Sequence, residues 1–312
     1  MKLIRYPQLK PLPGGSCVTV GNFDGLHLGH QALIQQTIEQ ARTTDTQSVV
    51  VSMQPLPIQF FQGAGAVELL TRFRQKYHLL CSLGVDVWCL LNFNHQLAAM
   101  TAEQFVTGIL FDGLNAQSIV IGDDFKFGAN RGGDFKLLQS MAATAGVNVV
   151  QQGSITVNGI RVSSTAIRAA LKAGFFERVK HMLGRDFSVL GKVESGRRMG
   201  QQLGYPTLNI ELRNGAFPLH GVYVVRVVID QVAYQAVASV GYNPSVGGNA
   251  KRLEVHVLNF NQQVYGKTVE VLFYKKLRNE VEFDTLTALK TAIATDVRET
   301  QAYFAREKGE SV

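Results

Sequence analysis

Short, nearly continuous apolar runs alternate with amphipathic stretches over the first half of this chain. Such runs are typical of strands that are buried on both faces of a sheet. The predicted strands are SCVTV (16–20), SVVVSM (48–53), VDVWCLLNF (85–93), AQSIVIG (116–122) and GVNVVQQ (146–152). Because helical stretches separate these strands, the pattern predicts an α/β domain with a parallel sheet covered by helices.

The stretches between the strands repeat their apolar residues at helical spacing. HQALIQQTIEQARTT (30–44) places Leu33, Ile34, Ile38 and Ala41 on one side. The other predicted helices are LLTRFRQKYHLLCSLG (69–84), with Gly84 as its stop, TAEQFVTGILFDGL (101–114), with Thr101 as its cap, and STAIRAALKAGFFERVKHML (164–183).

The pattern changes from about residue 187, where strands follow one another with little helix between them. They are GVYVVRVVID (221–230), VAYQAVASVG (232–241), KRLEVHVLNF (251–260) and KTVEVLFY (267–274). Consecutive short strands predict an antiparallel barrel or a sandwich. A final helix is expected to begin with Asp284 as its N-cap and to bury a stripe of Leu286, Leu289, Ile293 and Val297. We therefore expect two domains, 1–185 and 186–312.

Composition and charge limit the classes of protein to which this chain can belong. The 312 residues are enough for two cores, and 46% hydrophobic with 18% charged residues is typical of globular proteins. No apolar run approaches the roughly 20 residues of a membrane helix, and the start lacks a secretory signal pattern. Three cysteines without a C-x-x-C pair favour a cytoplasmic protein with reduced thiols. The net charge of +7 favours anionic partners, but no dense Lys/Arg block indicates a polynucleotide.

The segment GNFDGLHLGH (21–30) joins the first predicted strand to the first predicted helix. Ligands of parallel sheets bind at this carboxyl edge, and a helix N-terminus attracts anions. His27 and His30 share one face of the first helical turn, where imidazoles could donate to a phosphate chain. From spacing alone, a zinc pair with Asp24 and ordinary polar residues on a solvated helix remain open.

Two further segments of the first half combine polar groups. In VSSTAIRAALKAG (162–174), Ser163 or Ser164 begins a helix, Arg168 follows one turn later and Gly174 is a stop. The polar groups at its start predict a second anion site or a plain helix cap. The loop GDDFKFGANRGGD (122–134) follows a strand, and its phenylalanines indicate a ring-binding or packed loop.

The second half begins with a glycine-rich segment, GKVESGRRMGQQLGYPTLNI (191–210). Its glycines permit close backbone approach to a phosphate, although a flexible barrel entrance explains them equally well. Thr207 and Asn209 alternate with Leu208, so their oxygens face one side and suit Mg²⁺. Further along, Glu254 lies on the opposite face of its strand from the apolar residues, the usual place of a solvated glutamate.

The segment at 21–30 resembles the G-x-F-D-x-x-H-x-G-H motif of nucleotidylyltransferases, specifically of the flavin adenylyltransferase half of bacterial bifunctional riboflavin kinase/FAD synthetases. LLTRFRQKYHLL (69–80), IGDDFKFGANRGGD (121–134) and VSSTAIRAAL (162–171) resemble later motifs of that family, in the same order. The resemblance implies a Rossmann-like first domain that joins FMN to AMP from ATP, giving FAD and pyrophosphate.

The second half resembles riboflavin kinases in two motifs. Residues 196–209 fit G-x-x-x-G-x-x-x-G-x-P-T-x-N, and residues 253–258 fit L/I-E-x-H-x-L. The resemblance implies a kinase barrel with a terminal helix that phosphorylates riboflavin to FMN, and it then covers essentially the whole chain. The implied partners are riboflavin, FMN, ATP and Mg²⁺, without nucleic acid, a membrane or an obligate protein partner.

The resemblance also implies residue roles. For adenylyl transfer it implies His27, His30 and Arg168 in catalysis, with nucleotide and flavin contacts from Gly21, Phe23, Asp24, Asp124, Phe125, Arg131, Ser163, Ser164 and Thr165. For the kinase it implies Glu254 as general base, ATP contacts from Gly196, Gly200, Gly204 and Pro206, and Mg²⁺ held by Thr207 and Asn209. A carboxylate within hydrogen-bond reach would take the proton of the attacking ribityl hydroxyl.

Three glutamines depart from the family pattern. Gln54 and Gln75 stand where relatives usually have acidic residues, and Gln201 stands where they usually have a basic one. Arg197 or Arg198 is our candidate to replace that charge. The departures leave open an enzyme with one active half. An RNA-binding or tRNA-charging protein is the other alternative, since one synthetase class shares the H-x-G-H turn.

Overall fold

The computed structural model describes residues 1–195, 203–212, 217–242 and 251–307, without the side chains of Glu211 and Tyr242. These residues form two compact units. Met1–Val67 and Phe73–Ser164 make the first, and Glu68–Arg72 with the residues from Thr165 onward makes the second.

The first unit contains a six-stranded parallel sheet, which confirms the predicted α/β class. Its strands are β1 (Lys2–Arg5), β2 (Ser16–Val20), β3 (Gln47–Gln54), β4 (Val87–Asn92), β5 (Ala116–Gly122) and β6 (Asn148–Gln152), in the order β1-β4-β3-β2-β5-β6. The five predicted strands are β2 to β6. The sequence pattern missed β1, because this four-residue edge strand is only partly buried and so lacks an apolar run.

Helices cover this sheet. They are α1 (Leu28–Thr43), α2 (Pro57–Gln62), α3 (Phe73–Ser82), α4 (His95–Ala99), α5 (Ala102–Phe105) and α6 (Phe135–Ala145). The four apolar residues predicted for α1 are all buried. Helix α3 begins at Phe73 rather than at Leu69, and Thr101 caps α5 as predicted through the N–H of Gln104 at 3.2 Å.

Two elements of the first unit differ from the predicted pattern. The single helix expected over 101–114 changes after α5 into a π-helical segment, Val106–Phe111, in which the Asp112 N–H donates to the Thr107 carbonyl at 2.8 Å. Helix α6 was not predicted, although Asp134 caps its first turn and Gly146 ends it in the left-handed region. A two-stranded hairpin, β7 (Thr156–Val157) and β8 (Ile160–Arg161), completes this unit.

The predicted helix over 164–183 is two helices, α7 (Ser164–Ala173) and α8 (Phe176–Leu183). Gly174 separates them at φ +79°, a left-handed conformation that ends a helix. The Phe176 ring of α8 packs edge-on against Tyr223 and parallel to Phe273 of the following domain, with ring centroids 5.8 and 6.4 Å apart. Helix α8 is therefore part of the core of the second unit.

The strands of the second unit close into a barrel, which decides between the barrel and the sandwich. They are β9 (Phe187–Glu194), β10 (Leu208–Glu211), β11 (Gly221–Ile229), β12 (Val232–Tyr242), β13 (Lys251–Val257) and β14 (Thr268–Arg278), in the closed order β10-β13-β12-β11-β14-β9. All six pairings are antiparallel. Closure leaves no unpaired edge in this sheet.

The terminal helix, α9 (Leu286–Glu307), differs from the prediction in its cap and in its buried stripe. Thr285, not Asp284, caps it, because the Thr285 hydroxyl accepts the Ala288 N–H at 3.1 Å. Leu286 is 68% exposed, and the buried positions are Asp296, Thr300 and Phe304. The other predicted residues, Leu289, Ile293 and Val297, are half-buried. Asp296 accepts hydrogen bonds from the Arg278 Nε and Nη2 atoms, the shortest at 3.0 and 2.8 Å, so an ion pair occupies the most buried part of this face.

Helix α9 has 22 residues, but charged residues recur along it. Within these ranges, no helix has both the length and the apolar character needed to cross a membrane.

Candidate functional site

The turn after β2 leads directly into α1. Strand β2 lies between β3 and β5 within the sheet, and His27 is the N-cap of the helix. The Nδ1 atom of His27 accepts the backbone N–H of His30 at 3.3 Å. In a neutral imidazole the proton then lies on Nε2, which makes Nε2 a donor.

His27 and His30 lie together at the first turn, as their spacing predicts. Their rings stack with centroids 3.6 Å apart and an angle of 16° between the planes. Burial and the nearby His27 and Lys76 hold the pKa of His30 well below its usual range. A neutral His30 can donate a hydrogen bond to a phosphate but brings no charge of its own. In the described ranges no group of three His, Cys, Asp or Glu residues could hold a metal, so the zinc alternative has no support.

A cavity of about 620 Å³ opens beside this turn. It lies within the first unit, and its size is in the range of small-molecule sites. Its lining includes seven of the predicted site residues, namely Gly21, Phe23, His30, Asp124, Phe125, Arg131 and Ser164. The structure therefore brings the first histidine motif and the loop after β5 to one site.

One wall of the cavity is apolar, and the sequence reasoning missed it. Its residues include Met53, Pro57, Ile58, Phe61, Phe93, Leu97 and Phe105. Phe61 is 67% exposed although it is a large aromatic residue. The run PIQFF after β3 contained a signal, since apolar residues at the carboxyl end of a parallel strand lie where ligands bind.

The loop at 122–134 is both packed and ring-lined. Phe125 and Phe127 stack with centroids 5.2 Å apart, and both line the cavity. Arg161 forms ion pairs at 3.0 Å with Asp123 and with Asp124. Asp124 therefore lies beside a cation as well as at the cavity, and the loop presents ring faces rather than a purely acidic surface.

The residues of the second predicted anion site belong to different units. Ser164 lines the cavity, and its hydroxyl donates to the Asp24 carbonyl at 2.8 Å. Ser163 is half-buried, whereas Thr165 is exposed and belongs to the second unit. Arg168 is also in the second unit, where its Nε donates to the Glu68 carbonyl at 2.6 Å. The roles of Thr165 and Arg168 remain predictions.

The departures from the family pattern lie in different environments. Gln54 is exposed at the end of β3, and Gln75 is 6% exposed on α3. Gln201 and the other candidates in its segment, Gly196, Arg197, Arg198 and Gly200, lie outside the described residues. Gly204 is described and has φ +86°, a conformation that favours glycine.

In the barrel, Glu254 of β13 pairs directly with Asn209 of β10 and with Ser239 of β12. Directly opposed residues of antiparallel strands share a face, with Cβ atoms about 4.5–5.5 Å apart. Burial raises the pKa of the half-buried Glu254, and Glu280 adds to the rise while Arg252 opposes it. The ladder thus places a carboxyl group of raised proton affinity beside a neutral amide.

The segment before β10 contacts the His256 side chain of β13. The Nδ1 atom of His256 lies 2.9 Å from the Pro206 carbonyl, so this nitrogen carries a proton and donates. The Tyr205 ring packs edge-on against the His256 ring at 5.3 Å. These contacts hold Pro206 and Thr207 at the strand that contains Glu254.

These features together define a class of protein. A histidine-capped helix N-terminus beside a ring-lined cavity suits the binding of a phosphate group next to an aromatic ring. An antiparallel barrel with a carboxylate opposite an asparagine suits phosphorylation of a hydroxyl group. The fold and these residues therefore point to the class of transferases that act on phosphate groups.

Comparisons with known proteins identify the family. The FAD synthetase family model matches residues 9–166, and the riboflavin kinase model matches residues 183–304. The chain is 41% identical over 307 residues to the bifunctional riboflavin kinase/FMN adenylyltransferase of Pseudomonas fluorescens, which covers 98% of each chain. It is 37% identical over 311 residues to the protein of that name from Escherichia coli K12, which covers 99% of each.

A solved structure agrees over nearly the full length. It is described as a macrolide-efflux protein from Streptococcus pneumoniae, and it superposes with a TM-score of 0.83 at 30% identity, covering 96% of this chain and 99% of that one. With both family models and full-length relatives in agreement, the chain belongs to the bifunctional riboflavin kinase/FMN adenylyltransferase family.

Proposed function

We propose how the two halves of the chain divide the reactions of this family. The enzyme phosphorylates riboflavin to FMN and adenylylates FMN to FAD, with ATP as co-substrate in both steps. The barrel performs the first step and the parallel-sheet half performs the second. The observation that carries this division is the position of the His27–His30 turn at a ring-lined cavity, in the half that matches FAD synthetase.

In adenylyl transfer the FMN phosphate attacks the α-phosphorus of ATP, and the bond to pyrophosphate breaks. His27, His30 and the N-terminus of α1 hold the phosphates and stabilise the charge that develops on them. The apolar wall with Phe61 and the loop with Phe125 hold the flavin ring, while Asp124, Arg131 and Ser164 provide polar contacts. Positioning and charge stabilisation are sufficient, so no covalent enzyme intermediate is needed.

In the kinase step the terminal ribityl hydroxyl attacks the γ-phosphorus of ATP, and Glu254 accepts its proton. Thr207 and Asn209 fit a magnesium site, since both offer neutral oxygens and Asn209 lies directly opposite Glu254. Bound Mg²⁺ neutralises charge on the phosphates. Gly196, Gly200, Gly204 and Pro206 are the candidates that the family motif gives for contacts to ATP.

A single assay tests this function. The purified protein is incubated with riboflavin, ATP and Mg²⁺, and the flavins are separated by chromatography. We expect FMN to appear first and FAD to follow. If FMN forms without FAD, the first half lacks adenylyltransferase activity. If riboflavin gives no product while added FMN is converted to FAD, the barrel lacks kinase activity.

We also propose that residues 1–185 and 186–312 are the catalytic domains and that the protein works in the cytoplasm. Cys17 and Cys89 are buried, and burial raises the pKa of each thiol to about 12. Such thiols remain protonated and unreactive at neutral pH.

A fragment tests the domain division. We expect 186–312 alone to fold and convert riboflavin to FMN without making FAD, because the closed barrel contains Glu254, Thr207 and Asn209. A fragment of 165–312 is the matched control, since it keeps the α8 side chains that pack on the barrel. The shorter fragment should melt well below the longer one, because it lacks the buried α8 side chains, and the loss of each costs about 1.5–3 kcal/mol. Two inactive fragments beside an active full chain would contradict independent domains.

A further inference from the structure

We propose that Lys76 is a positioning residue for adenylyl transfer. It holds the phosphate-binding turn (21–30) by a hydrogen bond and places a buried positive charge near His30. Lys76 lies on α3 and is only 8% exposed. Its Nζ atom donates to the Asn22 carbonyl at 2.7 Å. Lysine is almost never this buried without a specific partner. The inference rests on the proposed phosphate site at His27 and His30.

The turn is held by three side chains from three different elements. Lys76 of α3 donates to the carbonyl of Asn22, Ser164 of α7 donates to that of Asp24, and Gln31 of α1 donates to that of Leu26. The bonded carbonyls belong to alternate residues. Their carbonyl oxygens therefore point towards these side chains. This orientation keeps the negative ends of the peptide dipoles away from an anion bound at the turn.

The turn also needs support because part of its backbone is unfavourable. Phe23 and Leu26 have φ values of 47° and 38°, in the left-handed region that non-glycine residues avoid. Such a conformation persists when the surrounding structure holds it, and it is often found where a site is pre-organised. Of the three donors, Lys76 is the one that also brings a charge.

The charge of Lys76 has defined neighbours. The titratable groups described near it are Asp24 in the turn, which is 2% exposed, and His30 on α1. Burial lowers the pKa of Lys76 to about 8, although Asp24 opposes the change. The ammonium group is therefore charged at neutral pH but loses its proton just above it.

His30 depends on this charge in turn. Its Nδ1 atom is buried and has no hydrogen-bond partner in the ranges that the structure describes. Burial has the largest effect in lowering the pKa of His30, and His27 and Lys76 lower it further. Neutral His30 thus serves as a hydrogen-bond donor at the cavity, while the fixed positive charge needed by a phosphate chain is on Lys76.

The test compares Lys76→Met and Lys76→Arg with the wild type in FMN adenylylation across pH 6.5 to 9.5. In the wild type, kcat/KM for ATP should fall above pH 8, near the pKa of Lys76 in the free enzyme. The fall in kcat should come at higher pH, because bound phosphates stabilise the ammonium. Lys76→Met should lose this alkaline fall and reduce kcat/KM at neutral pH by roughly 10- to 100-fold, the effect of one charged hydrogen bond.

Lys76→Arg should restore much of the neutral rate and shift the alkaline fall beyond the measured range, because guanidinium stays charged. Arg74→Met is the matched control, an exposed cation on the same helix, and should behave as the wild type. The melting temperature and circular dichroism of each sample report whether the first unit is folded, because riboflavin phosphorylation reports only on the barrel. A Lys76→Met profile with the wild-type alkaline fall would overturn the proposal.

If Lys76→Met does not fold, the test rests on Lys76→Arg. An unchanged fall of kcat/KM near pH 8 in that variant would overturn the proposal. Failure of the phosphate site itself looks different. In that case His30→Ala would keep its adenylyltransferase rate, whatever the profile of the Lys76 variants.

Discussion

We expect the His30→Ala variant to make essentially no FAD from FMN, while it converts riboflavin to FMN at close to the normal rate. His30 lines the cavity and stacks on the N-cap His27, so its imidazole is placed to donate to the ATP phosphates. Removal of one donor aimed at transition-state charge costs about 10²–10³ in rate. The measurement is the rate of FAD formation with saturating FMN, ATP and Mg²⁺.

The kinase reaction of the same sample is the internal control, because it takes place in the other half of the chain. His78→Ala is a matched histidine deletion, since His78 is exposed on α3. His30 also packs edge-on against Phe23 at 5.2 Å, so the melting temperature should be compared to separate catalysis from packing. An unchanged FAD rate in His30→Ala would refute the assignment of this histidine to the phosphates.

The sequence predicts the fold class and most elements because burial leaves a local pattern. Each central strand of the sheet is an apolar run, and α1 repeats its apolar residues every three or four positions. Strand β1 has no such run because it lies at an edge. Strand order depends on contacts between distant segments, which periodicity does not encode.

The errors at helix ends have a common physical cause. Helix α3 begins at Phe73 and not at Leu69, and Thr285 replaces Asp284 as the cap of α9. Several residues near a helix end can serve as cap, so side-chain preference limits the position only to within a turn. The predicted stripe of α9 was wrong at Leu286 and missed Asp296, which the Arg278–Asp296 pair holds inside.

The candidate sites were predictable where a motif is local. The histidine turn, the loop with Phe125 and the segment with Thr207 are each continuous in sequence. The apolar wall with Phe61 and the position of Lys76 were not, since they arise where separate segments meet around one turn. The pairing of Asn209 with Glu254 likewise depends on strand register.

We expect Glu254→Gln to stop riboflavin phosphorylation while FAD synthesis from supplied FMN continues. Glutamine keeps the size and one acceptor oxygen, so the strand pairing with Asn209 and Ser239 should persist. It accepts no proton at neutral pH, so kcat for phosphorylation should fall by roughly 10²–10⁴. The riboflavin KM should change far less, because the contact matters most in the transition state.

The pH dependence gives the same variant a second readout. Burial and Glu280 raise the pKa of Glu254, and only the deprotonated form can act as the base. Wild-type kcat/KM for riboflavin should therefore fall as the pH decreases through a pKa above the usual glutamate range. The Glu254→Gln profile should lack that fall. Glu282→Gln, an exposed glutamate outside the strands, is the matched control. A Glu254→Gln rate within about threefold of wild type, far short of the loss of a general base, would show that Glu254 is only a strand residue.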